Sequence, residues 1–290
     1  MASQLTRGVY EKHGVRYDTL TLTDGGCALT VTPEKGGMAT SFTKNGDEYL
    51  WLRDGNFEST DRPRCGVPIL FPNCGRPDGG VHLFDGAAYP MEIHGFADLV
   101  PWKVASATDE AVELELTPNG LTKFLYPFDF QLTMRYTLAG NRAELALTVK
   151  NTGEKPLPFS FGFHPYFAAS ALENVKFDVR AATCSEDAKG EQPAAPAAIT
   201  LTRKPGAADS IRLLTGVESP MVFTDSGNGH RVTVDFDSHF GNGVLWQQDA
   251  ERFVCMEPWN GWANSVNEAG RHEELAPGAS LTAHWGITIE

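Results

Sequence analysis

The chain has 290 residues, 41% of them apolar and 21% charged, with a formal net charge of −13. That balance excludes a charge-rich disordered chain, and an acidic protein without a Lys/Arg cluster is a poor partner for nucleic acid or an anionic membrane. No stretch approaches the roughly 20 apolar residues of a membrane span, and the first 18 residues lack the apolar core of a signal peptide.

The expectation is a soluble, cytoplasmic protein, monomer or homodimer, folded as one domain over residues 1–290, because β-sandwiches of this length commonly form one unit. Five cysteines, Cys27, Cys65, Cys74, Cys184 and Cys255, are odd in number and show no C-x-x-C spacing. They read as reduced, buried, nearly apolar side chains rather than disulfides or a zinc site.

In chain order, the first strand signal is YDTLTLT (residues 17–23). GVPILFPNCGR (66–76) follows, an apolar run that breaks into a Pro/Asn/Gly turn and presents one cation, Arg76. After AVELELT (111–117) comes the clearest local pattern. Phe128, Phe130, Leu132, Met134, Tyr136 and Leu138 share one parity, Gly140 and Asn141 turn the chain, and Ala143, Leu145, Leu147 and Val149 repeat the alternation. This predicts a long antiparallel hairpin. Further strand signals are NVKFDVR (174–180), IRLLT (211–215), RVTVDFD (231–237), GVLWQQ (243–248), RFVCME (252–257) and LTAHWGITI (281–289). Residues 186–200, rich in Ala and Pro, predict a surface loop. No stretch sustains an apolar helical period over three turns, so the fold class is all-β, a large two-sheet antiparallel β-sandwich.

Of eight histidines, His13, His82, His230, His239, His272 and His284 sit among polar or alternating residues where a surface or edge position suffices. His94 and His164 are flanked by Gly and aromatics, which places each where a strand gives way to a turn beside rings. Glu257 ends an apolar strand and is followed by Pro258, Trp259 and Trp262. A carboxylate there is costly without a purpose, since burial penalises its charge. A metal site is not expected: Glu92 and His94 share a predicted strand face and Asp235 and Asp237 form an Asp-x-Asp, but no third ligand stands at a recognisable spacing. There is neither a phosphate-cradling glycine loop nor a nucleophile-elbow serine.

GVPILFPNCGR, HGFADLVPW, FGFHPYF and EPWNG, in that order over nearly the whole chain, resemble the aldose 1-epimerase (galactose mutarotase-like) family, most closely a bacterial branch with some likeness to hexose-6-phosphate mutarotases. The resemblance implies a two-sheet sandwich with its site on the concave face of one sheet, a monosaccharide substrate and no cofactor. It implies His164 as general acid and Glu257 as general base, with Arg76 and His94 contacting sugar oxygens.

Interconverting anomers means removing the proton of the anomeric hydroxyl while protonating the ring oxygen, rotating about C1–C2 in the open aldehyde, and reversing the transfers. A carboxylate and an imidazolium, with unperturbed pKa values near about 4 and 6.5, can hold opposite protonation states near neutrality. Phe96, Phe163, Trp246, Trp259 and Trp262 are candidates to stack on the sugar.

In the hexose-6-phosphate branch an arginine at the position of Arg64 helps bind phosphate, and an arginine usually follows the His-Gly-Phe-Ala motif. Here that residue is Asp98. A carboxylate removes a phosphate donor and adds repulsion, which favours a neutral aldose, while Arg62 and Arg64 keep a phosphorylated sugar open. Asp235, Asp237, Gln247 or Gln248 could supply the further polar ligand that galactose mutarotases place between acid and base. A non-catalytic sugar sensor would need neither His164 nor Glu257, and glycoside hydrolysis would need a second carboxylate.

Overall fold

The computed structural model describes residues 3–185, 192–193, 199, 201, 209–248 and 250–290. Alternation in the central hairpin becomes two ten-residue strands, Phe130–Ala139 and Arg142–Asn151, paired without a break from Phe130↔Asn151 to Ala139↔Arg142. Leu132, Met134, Tyr136, Leu145, Leu147 and Val149 are all fully buried, while the opposite parity faces outward. A period of two allows this, because successive side chains leave opposite faces of a strand.

The hairpin lies within an eight-stranded antiparallel sheet. Its order is Val175–Asp178, Met221–Asp225, Arg231–Phe236, Ser280–Ile289, Arg142–Asn151, Phe130–Ala139, Val112–Leu116, Lys103–Ala107. A second eight-stranded sheet runs Gln192–Pro193, Thr183–Ser185, Asp209–Thr215, Asn242–Gln248, Phe253–Trp259, Gly162–Phe163, Ile69–Leu70, with Tyr166–Ala168 also pairing to Phe253–Trp259. Rings join the two sheets: Phe163 stacks on Trp285 at 4.5 Å between centroids, and Phe167 meets Phe223 at 5.4 Å. The chain is thus the two-sheet sandwich expected from the strand pattern.

An N-terminal five-stranded meander, Gln4–Lys12 to Asp47–Glu48, contributes Leu20, Leu22, Leu29, Val31 and Phe42 to the same apolar core. Only its second strand carried a strand signal in the sequence. One six-residue helix, Gly120–Leu125, also went unpredicted; Asn119 caps it, its Oδ1 accepting from the N–H groups of Leu121 and Thr122. Among the described residues no helix is long and apolar enough to cross a membrane. Most of the predicted surface loop, residues 186–200, lies outside the described residues.

His82 departs from its expected surface position. It sits in the hairpin Val81–Phe84 with Ala87–Pro90, fully buried against Phe84, while neighbouring Leu83 is 58% exposed. Leu83 N–H donates to Asn267 Oδ1 and Asn267 Nδ2 to Val81 O, and these bonds orient the strand with His82 inward.

Candidate active site

Strand Phe253–Trp259 is buried along its whole length, so both parities have a task. Val254 and Met256 enter the main core, whereas Cys255, Glu257 and Trp259 leave the other face beside Tyr166, Val244 and Trp246. Neighbouring strand Asn242–Gln248 sets Val244 opposite Glu257 and Trp246 opposite Cys255. His164 follows the two-residue strand Gly162–Phe163, and its N–H donates to Pro68 O at 3.0 Å. A side chain at Gly162 would stand 2.9 Å from Trp259 and 3.0 Å from Cys74 Sγ, so glycine is what lets these strands approach.

His94 arrives on a tight turn, at φ 66°. Gly95 follows at φ 75°, and a Cβ there would come within 2.1 Å of Phe71 O. His94 N–H donates to Gly75 O at 2.8 Å, and Gly75 N–H donates to His94 Nδ1 at 3.0 Å. With Nδ1 an acceptor, the neutral ring carries its proton on Nε2. His94 is therefore a hydrogen-bond donor without charge, and burial, with the nearby His164, Arg62 and Arg76, holds its pKa well below the usual histidine range.

These elements enclose a cavity of about 300 Å³. On its wall His164 Nε2 lies 3.4 Å from Glu257 Oε1, and Trp259 Nε1 donates to Glu257 Oε2 at 3.0 Å. Tyr166 stacks on the His164 ring at 4.7 Å; His94 and Trp246 meet it edge-on at 5.3 and 5.8 Å. Burial raises Glu257 well above the ordinary carboxylate range and lowers His164 to about 3. Burial thus pushes both groups of the pair toward their neutral forms. Desolvation penalises both charges, leaving one proton within reach of both groups.

The cavity wall includes His164, Glu257, His94, Arg64 and Trp259. It includes neither Phe163 nor Arg76. Phe163 precedes His164 on the chain and points through the sheet to Trp285, so it cannot stack on a ligand. Arg76 is 59% exposed, with Nη1 3.8 Å from Oε2 of the exposed Glu92. Glu92 and His94 occupy a turn, not a shared strand face. Phe96 belongs to the core, Trp246 lines the cavity, and Trp262 packs edge-on to Trp259 at 5.8 Å.

None of the four candidates for a further polar ligand lies on that wall. Asp235 pairs with Arg142, Asp237 accepts from the N–H groups of His239 and His284, and Gln247 donates to Leu201 O. Asp209 stands on the wall instead, at the start of strand Asp209–Thr215, accepting from Trp246 Nε1 at 3.1 Å. Its register opposite Gln248 brings it there, and no local sequence pattern encodes that register. Arg62 and Asp98 complete the wall as a pair: Nη1 meets both carboxylate oxygens, and Nη2 donates to Gly95 O at 2.8 Å.

His164, Cys255 and Glu257 also offer three possible metal donors within 4.8 Å of one another, and His13, Asp54 and Glu58 form a second, more exposed group.

Residues 18–288 match the family model for aldose 1-epimerase. The chain is 27% identical over 269 residues to the chromosomal LacX protein of Lactococcus lactis subsp. lactis, covering 82% of this chain and 87% of that one. A Cenchrus ciliaris protein provisionally named glucose-6-phosphate 1-epimerase is 29% identical over 158 residues, 49% of this chain and 44% of that one. Among solved structures, a Synechocystis sp. PCC 6803 protein superposes with a TM-score of 0.88 at 26% identity, covering 97% and 98% of the two chains. With the sandwich, the cavity and a match over most of its length in hand, the chain belongs to the aldose 1-epimerase family.

Proposed function

We propose that this protein is a mutarotase that interconverts the α and β anomers of a free aldose in the cytoplasm by general acid–base catalysis. The observation that carries the reading is the 3.4 Å approach of His164 Nε2 to Glu257 Oε1 on the wall of a cavity of about 300 Å³, at the small end of small-molecule sites. The free, buried thiols of Cys27, Cys65, Cys74 and Cys255 support a reducing compartment.

The pair holds one proton. Placed on His164 Nε2, it leaves Glu257 as a carboxylate that Trp259 N–H stabilises through Oε2. The carboxylate takes the anomeric hydroxyl proton while the imidazolium protonates the ring oxygen, and the C1–O5 bond opens to the aldehyde. Rotation about C1–C2 presents the other carbonyl face. As the ring closes the transfers reverse: Glu257 protonates the carbonyl oxygen and His164 takes back the proton of the C5 hydroxyl, so the starting pair is restored. His94, a neutral donor through Nε2, supports charge developing on oxygen without competing for the proton. Trp246 and Trp259 offer apolar faces to the sugar's C–H groups.

Polarimetry of freshly dissolved α-glucose and α-galactose tests this reading. Wild type should speed the approach to the equilibrium rotation and Glu257→Gln should match buffer. Uncatalysed decay with wild type, alongside measurable sugar binding, would make the protein a sensor instead.

A further inference from the structure

Arg62, Pro63 and Arg64 form one stretch of the cavity wall, with Asp98 beside them. The two arginines are not equivalent. Arg64 is exposed, and no ion pair engages its guanidinium among the described residues. Arg62 is already engaged: Nη1 on both oxygens of Asp98, Nη2 on Gly95 O. That fork of N–H groups is the part of an arginine that grips a phosphoryl group bidentately, and here it is turned into the protein's own loop.

Asp98 stands on the wall, but both of its carboxylate oxygens are taken by Arg62 Nη1, so its charge is already matched by that cation. Capture of Arg62, rather than direct repulsion of a phosphate, is therefore how this carboxylate acts. Its loop holds it rigidly. Gly36, at φ 64°, lies so close that a Cβ would stand 2.4 Å from Asp98 O, and Trp102 Nε1 donates to Ala97 O at 2.9 Å. Gly95, whose carbonyl shares Arg62, is pressed against Phe71 O in the same way. The main chain that presents both acceptors therefore cannot shift without displacing neighbouring backbone.

We infer that Asp98 is a specificity-determining positioning residue: by capturing Arg62 it cancels one of the two cations on the cavity wall and tunes the site to uncharged aldoses over phosphorylated ones. The ligand class rests on the mutarotase reading above, whereas the capture of Arg62 does not. Burial pushes Asp98 up to about 6 despite the Arg62 and Lys35 charges, so the carboxylate relies on Arg62 to stay ionised. Asparagine is nearly isosteric and removes the charge that commits Arg62 to the loop.

Calorimetric binding of glucose and glucose 6-phosphate to wild type, Asp98→Asn and the Asp98→Asn/Arg62→Gln double variant tests the inference without requiring turnover. Asp98→Asn should tighten glucose 6-phosphate by about ten- to a hundredfold, the scale of a charge-assisted hydrogen bond set free, and leave glucose within about twofold. The double variant should lose that gain, and Asp98→Glu should keep the wild-type ranking. An unchanged ratio in Asp98→Asn, a gain that survives loss of Arg62, or a wild type that already prefers glucose 6-phosphate would overturn it. Should Asp98→Asn fail to fold, Arg62→Gln alone decides. Weaker glucose 6-phosphate binding in that variant would mean that Arg62 already serves the ligand, and unchanged binding supports its capture. If the binding pattern holds while wild type shows no mutarotation, the catalytic reading falls and this one stands.

Discussion

The two eight-stranded sheets are built from the same kind of strand but use their faces differently. In the sheet around Phe130–Ala139 and Arg142–Asn151, one parity is core and the other is partly or fully exposed, so each residue has one structural task. In the sheet around Phe253–Trp259 both parities are buried, and the face turned from the core carries Glu257 and Trp259. Burial that stabilises the first sheet is what disturbs protonation in the second: the same desolvation that favours Leu147 penalises the charges of Glu257 and His164. Stability and chemistry should therefore separate by sheet.

The largest separation is expected at Glu257. Glu257→Gln should lower the mutarotation rate by about 10²- to 10⁴-fold, the usual contribution of a general acid–base group. Its melting temperature should be no lower than wild type near pH 7.5, because burial already favours the neutral carboxyl and an amide nearly matches it in shape and polarity. A variant that melts early and keeps its rate would erase the contrast between the sheets.

Leu147→Ala is the converse. Leu147, fully buried between Met134 and Ala283 on the neighbouring strands, should cost about 2–5 kcal/mol in a denaturant titration. Mutarotation per folded molecule should stay at the wild-type level, and a tenfold loss in kcat would show that the regular sheet also tunes the site.

Acid stability separates a buried histidine outside the site from the carboxylate beside Arg62. His82 has a folded pKa lowered to about 4 by burial, against 6.5 unfolded. Its neutral form thus lends stability that is complete above pH 6.5 and is lost as pH falls through about 4, on the order of 3 kcal/mol. Asp98 has the opposite sign. Raised to about 6 from 3.8, it favours the fold below pH 3.8, and that contribution is lost as pH rises through about 6. Melting His82→Leu beside wild type between pH 7.5 and 4.5 should give a flatter acid limb for the variant. Parallel curves would mean that His82 keeps a partner on protonation.

The smallest effect is expected from Asp209→Asn, which leaves the Trp246 contact possible and changes only the charge on the wall. A rise in KM of about tenfold with kcat nearly unchanged is the expected outcome, on the scale of one hydrogen bond to a charged group. A kcat loss as large as that of Glu257→Gln would instead place Asp209 in the proton transfers.

Strand existence was the most legible level. Wherever one face is buried and the other wet, as at Leu132, Met134 and Tyr136, alternation records the burial directly. The meander strands Cys27–Thr32 and Met38–Lys44 were overlooked because Thr and Ser are interleaved with small residues there, and the apolar contrast is weak. His82 and Leu83 read backwards because long-range bonds to Asn267, not their own polarity, orient the strand. In the site, His164, Glu257 and His94 were visible through unusual neighbours: glycines, indoles and a carboxylate ending an apolar run. Asp209 had no such neighbours.

By itself, the sequence determined an antiparallel sandwich and the residue types at its likeness to the aldose 1-epimerase family, because period-two burial and turn chemistry are local properties written residue by residue. Only the tertiary structure decided which of those side chains share a cavity. Phe163 turns from it by strand parity, Arg76 remains at the surface, Asp209 enters by register, and Arg62 is held by a carboxylate from a distant loop. The protonation of Glu257 and His164 is likewise a property of the assembled sheet, since the desolvation that sets it exists only once the surrounding strands have closed.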